Sequence, residues 1–222
     1  NNISFKIDEN EIVGLLGPNG CGKTTTIGMI LGLLKPTSGQ VLINGKNIEN
    51  NKISILHKMN FISPYIELPK KLTVKQNLIV YGKLYNIKNL SERINFLSEK
   101  LRLGDLLDKI TGELSSGQKN RVSLAKALIN DPTVLLLDEP TAALDPETAD
   151  FIRTFLEKLR EEKKISVLLA SHNMDEVKRL CNSVMMMKDG NIVDGGTPED
   201  LIEKYGQKNL EEVFLKIVRK DK

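Results

Sequence analysis

The chain has 222 residues, 40% hydrophobic and 27% charged, with 32 basic against 29 acidic side chains and a net charge of +3. This is the composition of an ordinary globular domain long enough to bury a core, and the near-balanced charge argues against a nucleic-acid groove as its main business. No apolar run approaches the roughly 20 residues of a bilayer span, and the opening Asn1-Asn2-Ile3-Ser4-Phe5 is neither a basic n-region nor a signal core. A cytoplasmic chain is expected, with any membrane link supplied by a partner. Cys21 and Cys181 form no metal or disulfide pattern.

In chain order, Ile3, Phe5 and Ile7 alternate with polar residues, which predicts a strand. After a turn at Asp8-Glu9-Asn10, residues 11–16 form a buried strand that runs into Gly17-Pro18-Asn19-Gly20-Cys21-Gly22-Lys23-Thr24-Thr25. This is the string G-x-x-x-x-G-K-T. Its glycines let backbone N–H groups surround an anion, and the helix that follows points its positive end at it. Lys23 supplies a full charge to the outer phosphates, and the Thr24 hydroxyl can ligate Mg²⁺. Residues 17–25 are therefore a candidate nucleoside triphosphate site.

The helix is expected over residues 22–34, stopping at Lys35-Pro36. A turn at 36–39, a strand at 40–43 and a tight turn at Asn44-Gly45 follow, giving an N-terminal antiparallel β portion. Residues 59–62 suggest another strand, and the prolines of 63–69 a loop. From Thr73 the texture turns helical, with Val74, Leu78, Tyr81 and Tyr85, then Ile94, Leu97 and Leu101 after a Ser91 cap. One domain over 1–222 is read as a nucleotide-binding core lobe, 1–71 and 131–222, holding a helical lobe of about residues 72–130.

That insert ends in Leu114-Ser115-Ser116-Gly117-Gln118 and a helix carrying Val122, Ala125 and Leu128. A strand at 133–137 leads to Asp138-Glu139-Pro140, and Asp145-Pro146 caps a helix with Ile152, Phe155 and Leu159 inward. A strand at 165–170 ends in Ser171-His172, and Asn173 with Glu176 suggests a capping box for the next helix. A hairpin around Asp189-Gly190 and helices from Pro198 and Leu210 close the chain.

Strands alternating with helices predict an α/β fold with a mostly parallel sheet flanked by helices, and ligands at the carboxyl ends of its strands. The phosphate loop, Asp138-Glu139 and His172 each follow a predicted strand. By analogy with phosphate-loop NTPases, Asp138 would hold Mg²⁺. Glu139 would polarise the water attacking the γ-phosphate, and His172 would contact that phosphate or orient the water. Ser115, Ser116, Gly117 and Gln118 read equally well as a capped helix start or as a second phosphate reader closing over nucleotide on another copy.

A resemblance resolves that balance. Leu-Ser-Ser-Gly-Gln ahead of Leu-Leu-Leu-Asp-Glu-Pro-Thr resembles the signature motif and Walker B of ABC ATPases. Residues 17–24 are similar to their Walker A, Ala142-Ala143-Leu144-Asp145 to their D-loop and His172 to their switch histidine. The resemblance implies ATP and Mg²⁺ as cofactors, with Lys23, Glu139 and His172 catalytic and Thr24 and Asp138 on the metal. Residues 17–25, Ser115, Ser116, Gly117, Gln118 and Asp145 would contact nucleotide across a head-to-tail dimer of identical or paired chains. It further implies an integral-membrane permease partner, no nucleic acid, and a peripheral place on the inner face of the membrane. Three positions depart from the family. Ser116 stands in the signature glycine pair, Pro64 stands where the Q-loop glutamine is expected, and the sequence opens at Asn1-Asn2-Ile3-Ser4-Phe5, where the family is already past its adenine-stacking aromatic. The ending Leu210-Glu-Glu-Val-Phe-Leu215 and the short length resemble ATPases of bacterial exporters. The alternatives are an ABC ATPase acting on ribosomes or DNA, and a degenerate regulatory cassette.

Overall fold

The computed structural model describes residues 1–219. Strand β1 (Ile12–Leu16) is buried at every position and feeds α1 (Lys23–Ile30). That helix stops short of residue 34 because Gly32 turns at φ +64 and the N–H groups of Leu33 and Leu34 fold back onto the Gly28 carbonyl.

Residues 3–7, expected as a strand, are not one. Ile3, Phe5 and Ile7 do turn inward alternately, but they lie as an extended cover over the core and no strand pairs with them among the described residues. The antiparallel portion near this end is a short hairpin, β2 (Leu42–Ile43) with β3 (Lys46–Asn47), turned by Asn44 and Gly45 at positive φ. Helix α2 (Ile48–Leu56) follows, capped by the Asn47 side chain on the Glu49 N–H. Only Ile48 and Ile55 are buried in it, a seam too sparse for periodicity to reveal.

β4 (Met59–Ile62) precedes the helices α3 (Val74–Leu84), α4 (Leu90–Lys100) and α5 (Ser116–Leu128). Thr73 and Gln76 form a reciprocal capping box on α3, whereas α4 begins after Asn89 rather than Ser91 and has no side-chain cap. β5 (Val134–Asp138), α6 (Pro146–Glu162), β6 (Ser166–Ala170), α7 (Met174–Leu180), β7 (Ser183–Lys188) and β8 (Asn191–Gly196) come next, then α8 (Pro198–Tyr205) and α9 (Leu210–Arg219). No helix among the described residues is long and apolar enough to cross a membrane.

The main sheet runs in the order β4-β5-β6-β1-β7-β8, parallel throughout except for the β7–β8 hairpin at its edge. Successive residues face opposite sides, so each central strand serves two cores. Ile12, Leu16, Leu135, Leu137, Val167 and Leu169 pack under the helices α3 to α7, together with Leu78, Ile94, Leu97 and Val122. Val13, Leu15, Leu136 and Leu168 face the other way, toward Ile27, Ile30, Ile48 and the N-terminal segment. This parallel α/β architecture sets β1, β5 and β6 side by side, with their carboxyl ends on one edge.

Candidate functional site

The loop after β1 is held by backbone geometry that few residues permit. Gly20 and Gly22 sit at φ +82 and +110, and a Cβ on Gly17 would stand 2.4 Å from the Met187 carbonyl oxygen. Lys23 Nζ donates to the carbonyls of Gly17 at 2.6 Å and Pro18 at 3.1 Å, which folds its charge back over the loop. Thr24, Thr25, Asn19 and Gly20 are exposed, Pro18 is half-buried, and Cys21 is buried with its Sγ 4.0 Å from Lys23 Nζ. The result is a cation folded over a glycine-bent loop at a helix N-terminus, a geometry suited to a polyphosphate.

Two neighbouring strands deliver the acid–base groups. The register Asp138↔Ala170 and Leu15↔Ala170 brings the ends of β5 and β6 level with the end of β1. Glu139 continues from β5 at φ +51, with its N–H on the Ala170 carbonyl at 2.8 Å. A glutamate in the left-handed region is strained, and such strain is typically held only where the surroundings over-determine it. Its Oε1 lies 2.7 Å from His172 Nδ1, and the imidazole is otherwise exposed. Asp138 is buried, and burial pushes its carboxyl above the usual carboxylate range, assisted by the charge of Glu139 and opposed by Ser63 and Lys23.

Ser63 is a residue that sequence reasoning passes over. Its hydroxyl donates to Asp138 Oδ2 at 3.3 Å, because the pairing of Ile62 with Leu137 places the next residues side by side. Pro64, in the expected glutamine position, has no side-chain donor. Gln76 offers no replacement, since its side chain is used in the cap of α3, accepting from Thr73 N–H at 2.9 Å. The seryl-prolyl spelling of the loop hides this contact, which depends on strand register.

Ser115 and Gln118 are likewise reciprocal: Ser115 Oγ accepts the Gln118 N–H and Gln118 Oε1 accepts the Ser115 N–H. Ser115 and Ser116 remain exposed, while Gly117 packs so closely on α6 that a Cβ would meet Thr148 at 3.0 Å. Asp145 caps α6 through Oδ1 on the Thr148 N–H at 2.9 Å, a bond that holds its carboxyl below the usual range. Ser116 and Glu139 line one cavity of about 210 Å³ with Ser63, Pro64 and Ala142. Within one chain, then, the loop, Asp138, Glu139 and His172 gather on one sheet edge. Residues 115–118 open the neighbouring helix, with the N–H groups of Ser115 and Gln118 taken by its cap.

The expected capping box on α7 forms only by half. Asn173 Oδ1 accepts the N–H groups of Asp175 and Glu176, but the Glu176 carboxylate does not return the bond. It is buried and accepts instead from Ser171 Oγ at 2.6 Å and Thr141 Oγ1 at 2.8 Å.

Comparison with known proteins places the chain in a family. A family model described as ABC transporter matches residues 1–142. The ABC transporter ATP-binding protein NatA of Bacillus subtilis is 34% identical over 221 residues, covering 98% of this chain and 89% of that protein. The methionine import ATP-binding protein MetN of Latilactobacillus sakei is 39% identical over 90% of this chain, which spans 60% of that protein's length. The Nod factor export ATP-binding protein I of Burkholderia lata is 36% identical, covering 91% of this chain and 67% of that protein. Among solved structures, a dimeric ATP-binding cassette in a post-hydrolysis state bound to ADP and Pi superposes with a TM-score of 0.80 at 28% identity, over 88% of this chain and 89% of that one.

Proposed function

Since the chain belongs to the ABC transporter family, as an ATP-binding, ATP-hydrolysing subunit, we propose that it powers export through a separate integral-membrane permease, working as a pair of cassettes on the inner face of the membrane. The observation that carries the chemistry is the meeting of Glu139 and His172 at 2.7 Å on the edge where β1 delivers the Lys23 loop.

In this reading residues 17–25, through the backbone N–H groups the loop leaves free, and the Lys23 ammonium hold the phosphates. Glu139 takes a proton from the attacking water. A proton on His172 Nδ1 satisfies Glu139 and turns the exposed side of the ring toward substrate. The residues suit Mg²⁺: the exposed Thr24 hydroxyl and the buried Asp138 carboxylate are hard oxygen donors, and a cation offsets the burial that disfavours the carboxylate's charge. Mg²⁺ bound there would neutralise charge developing on the phosphates. Ser115, Ser116, Gly117 and Gln118, at the start of α5 with the two serines exposed, would face nucleotide held by the second cassette, and Asp145 would lie at the seam.

Export is the direction suggested by the segment Leu210–Leu215 in α9, although the relatives include one named for import and one named for export. The first test is affinity purification of the protein from gently solubilised native membranes, with mass spectrometry of its companions. A stoichiometric polytopic membrane protein supports the transporter reading, and uptake or efflux in reconstituted vesicles then gives direction. Recovery of soluble partners, ribosomes or DNA alone moves the assignment to a non-transport ABC ATPase.

A further inference from the structure

Glu176 is the most buried charged side chain near the site, 1% exposed, and nothing in the proposed chemistry uses it. Its two oxygens are bound by hydroxyls from two different loops. Thr141 lies two residues after Glu139, on the turn that leaves β5, and donates at 2.8 Å. Ser171 lies immediately before His172, at the end of β6, and donates at 2.6 Å. Ser171 Oγ also accepts the Asn173 N–H at 3.1 Å, so the hydroxyl's orientation is fixed from both sides. Asn173 in turn fixes the first turn of α7, the helix that carries Glu176 itself.

The chain of bonds therefore runs from the Glu139 turn through Thr141, Glu176 and Ser171 to the backbone that carries His172. Burying a carboxylate costs free energy unless its oxygens are satisfied, and a buried polar link of this kind imposes one relative arrangement on the elements it joins. Helix capping does not require it, since Asn173 alone serves the exposed N–H groups. We propose that Glu176 is a positioning residue for hydrolysis: it holds the loops after β5 and β6 at the separation that lets Glu139 and His172 meet. The proposal rests on the assignment of Glu139 and His172 as the hydrolytic pair. Glu176 is buried, and among the described residues its carboxylate accepts from Thr141 and Ser171 rather than from the phosphate loop.

The experiment is a double-mutant cycle on the full chain, comparing steady-state ATP hydrolysis with equilibrium ATP binding. Glu176→Ala is expected to lower kcat at least about tenfold while KM and ATP affinity stay within about twofold, because the lost geometry concerns the chemical step. Glu176→Gln keeps a partner for each hydroxyl and is expected to retain activity within about threefold of the parent. In a His172→Ala background, Glu176→Ala should cost little more, since it acts through the pairing already lost. If Glu176→Ala costs the same factor in both backgrounds, or if ATP affinity falls with kcat, the positioning role is wrong. Should Glu176→Ala fail to fold, Ser171→Ala and Thr141→Val each remove one link, and unchanged kcat in both overturns the proposal. An unimpaired His172→Ala chain would instead overturn the assignment of the pair.

Discussion

Glu139 Oε1 lies 2.7 Å from His172 Nδ1, and Glu139 reaches that point at φ +51, a backbone angle unfavourable for its side chain. A residue placed in strain at a strand end, against an exposed histidine and lining a cavity, is arranged for chemistry rather than stability. The expected consequence of Glu139→Gln is a fall in ATP turnover of about 10²–10⁴, the usual worth of a general base. ATP binding should persist, since Lys23 and the loop N–H groups are untouched. If two cassettes close over ATP, the variant should also sediment more as a dimer with ATP than the parent does. Parent-like turnover would show that another group takes the proton.

Cys21 gives a chemical handle on the phosphate loop. Its thiol is buried 4.0 Å from Lys23 Nζ, close to the space that Gly17 leaves empty. Any adduct there must push the loop out of shape. Thiol alkylation is therefore expected to abolish ATP binding, slowly because the group is covered, and saturating ATP should protect. A Cys21→Ser chain should bind ATP and ignore the reagent. Equal inhibition of that variant would place the sensitive thiol elsewhere, with Cys181 the remaining one.

Much of this site is legible before the structure because its parts are local. The glycine spacing of residues 17–22, the apolar run into Asp138-Glu139 and the proline after Asp145 each encode their own geometry within a few residues. What escapes the sequence depends on who lies alongside. The alternation of Ile3, Phe5 and Ile7 is real burial, but a strand needs a partner edge and the hairpin nearby offers two residues per strand. Helix α2 carries consecutive asparagines at 50 and 51, poor helix formers that hide it from propensity. The strand order, with β1 between β6 and β7, follows from crossovers that no local pattern records. Ser63 and Glu176 meet their partners across 75 and 35 residues of chain, so residue spacing could not identify either contact.

Ser63 carries its own prediction. Its hydroxyl is the polar group that the end of β4 presents to Asp138, where Pro64 presents none. Ser63→Ala removes one hydrogen bond to a buried carboxylate. The expected result is a several-fold rise in the Mg²⁺ concentration that half-saturates ATP hydrolysis, the factor that about 1 kcal/mol, one ordinary hydrogen bond, converts to. Mn²⁺ titration of the ATP-loaded chain, read by paramagnetic relaxation, should shift in the same direction, and metal-free ATP affinity should not change. A Ser63→Ala, Pro64→Gln double variant should recover part of the loss. An unchanged metal titration would mean that the 3.3 Å contact has no part in holding the cation.

The buried carboxylate of Glu176 also has a signature in stability. Burial pushes it above its ordinary 4.5, against the hydrogen bonds from Ser171 and Thr141 and the charge of Arg153, while the charge of Glu139 pushes it further up. Because the folded value is the higher one, the folded chain keeps this proton at pH values where the unfolded chain has released it. The associated stability is fully present below about pH 4.5 and is lost as pH rises through the raised folded value. Glu176→Gln cannot titrate. The difference in Tm, variant minus parent, is therefore expected to climb with pH across that window and to be flat on either side of it. Scanning calorimetry of both chains from about pH 4 to about pH 8 measures it, with the parent's other titrations cancelling in the difference. A slope of the opposite sign would mean that the carboxylate is held ionised in the folded chain, with Arg153 outweighing burial as the dominant influence.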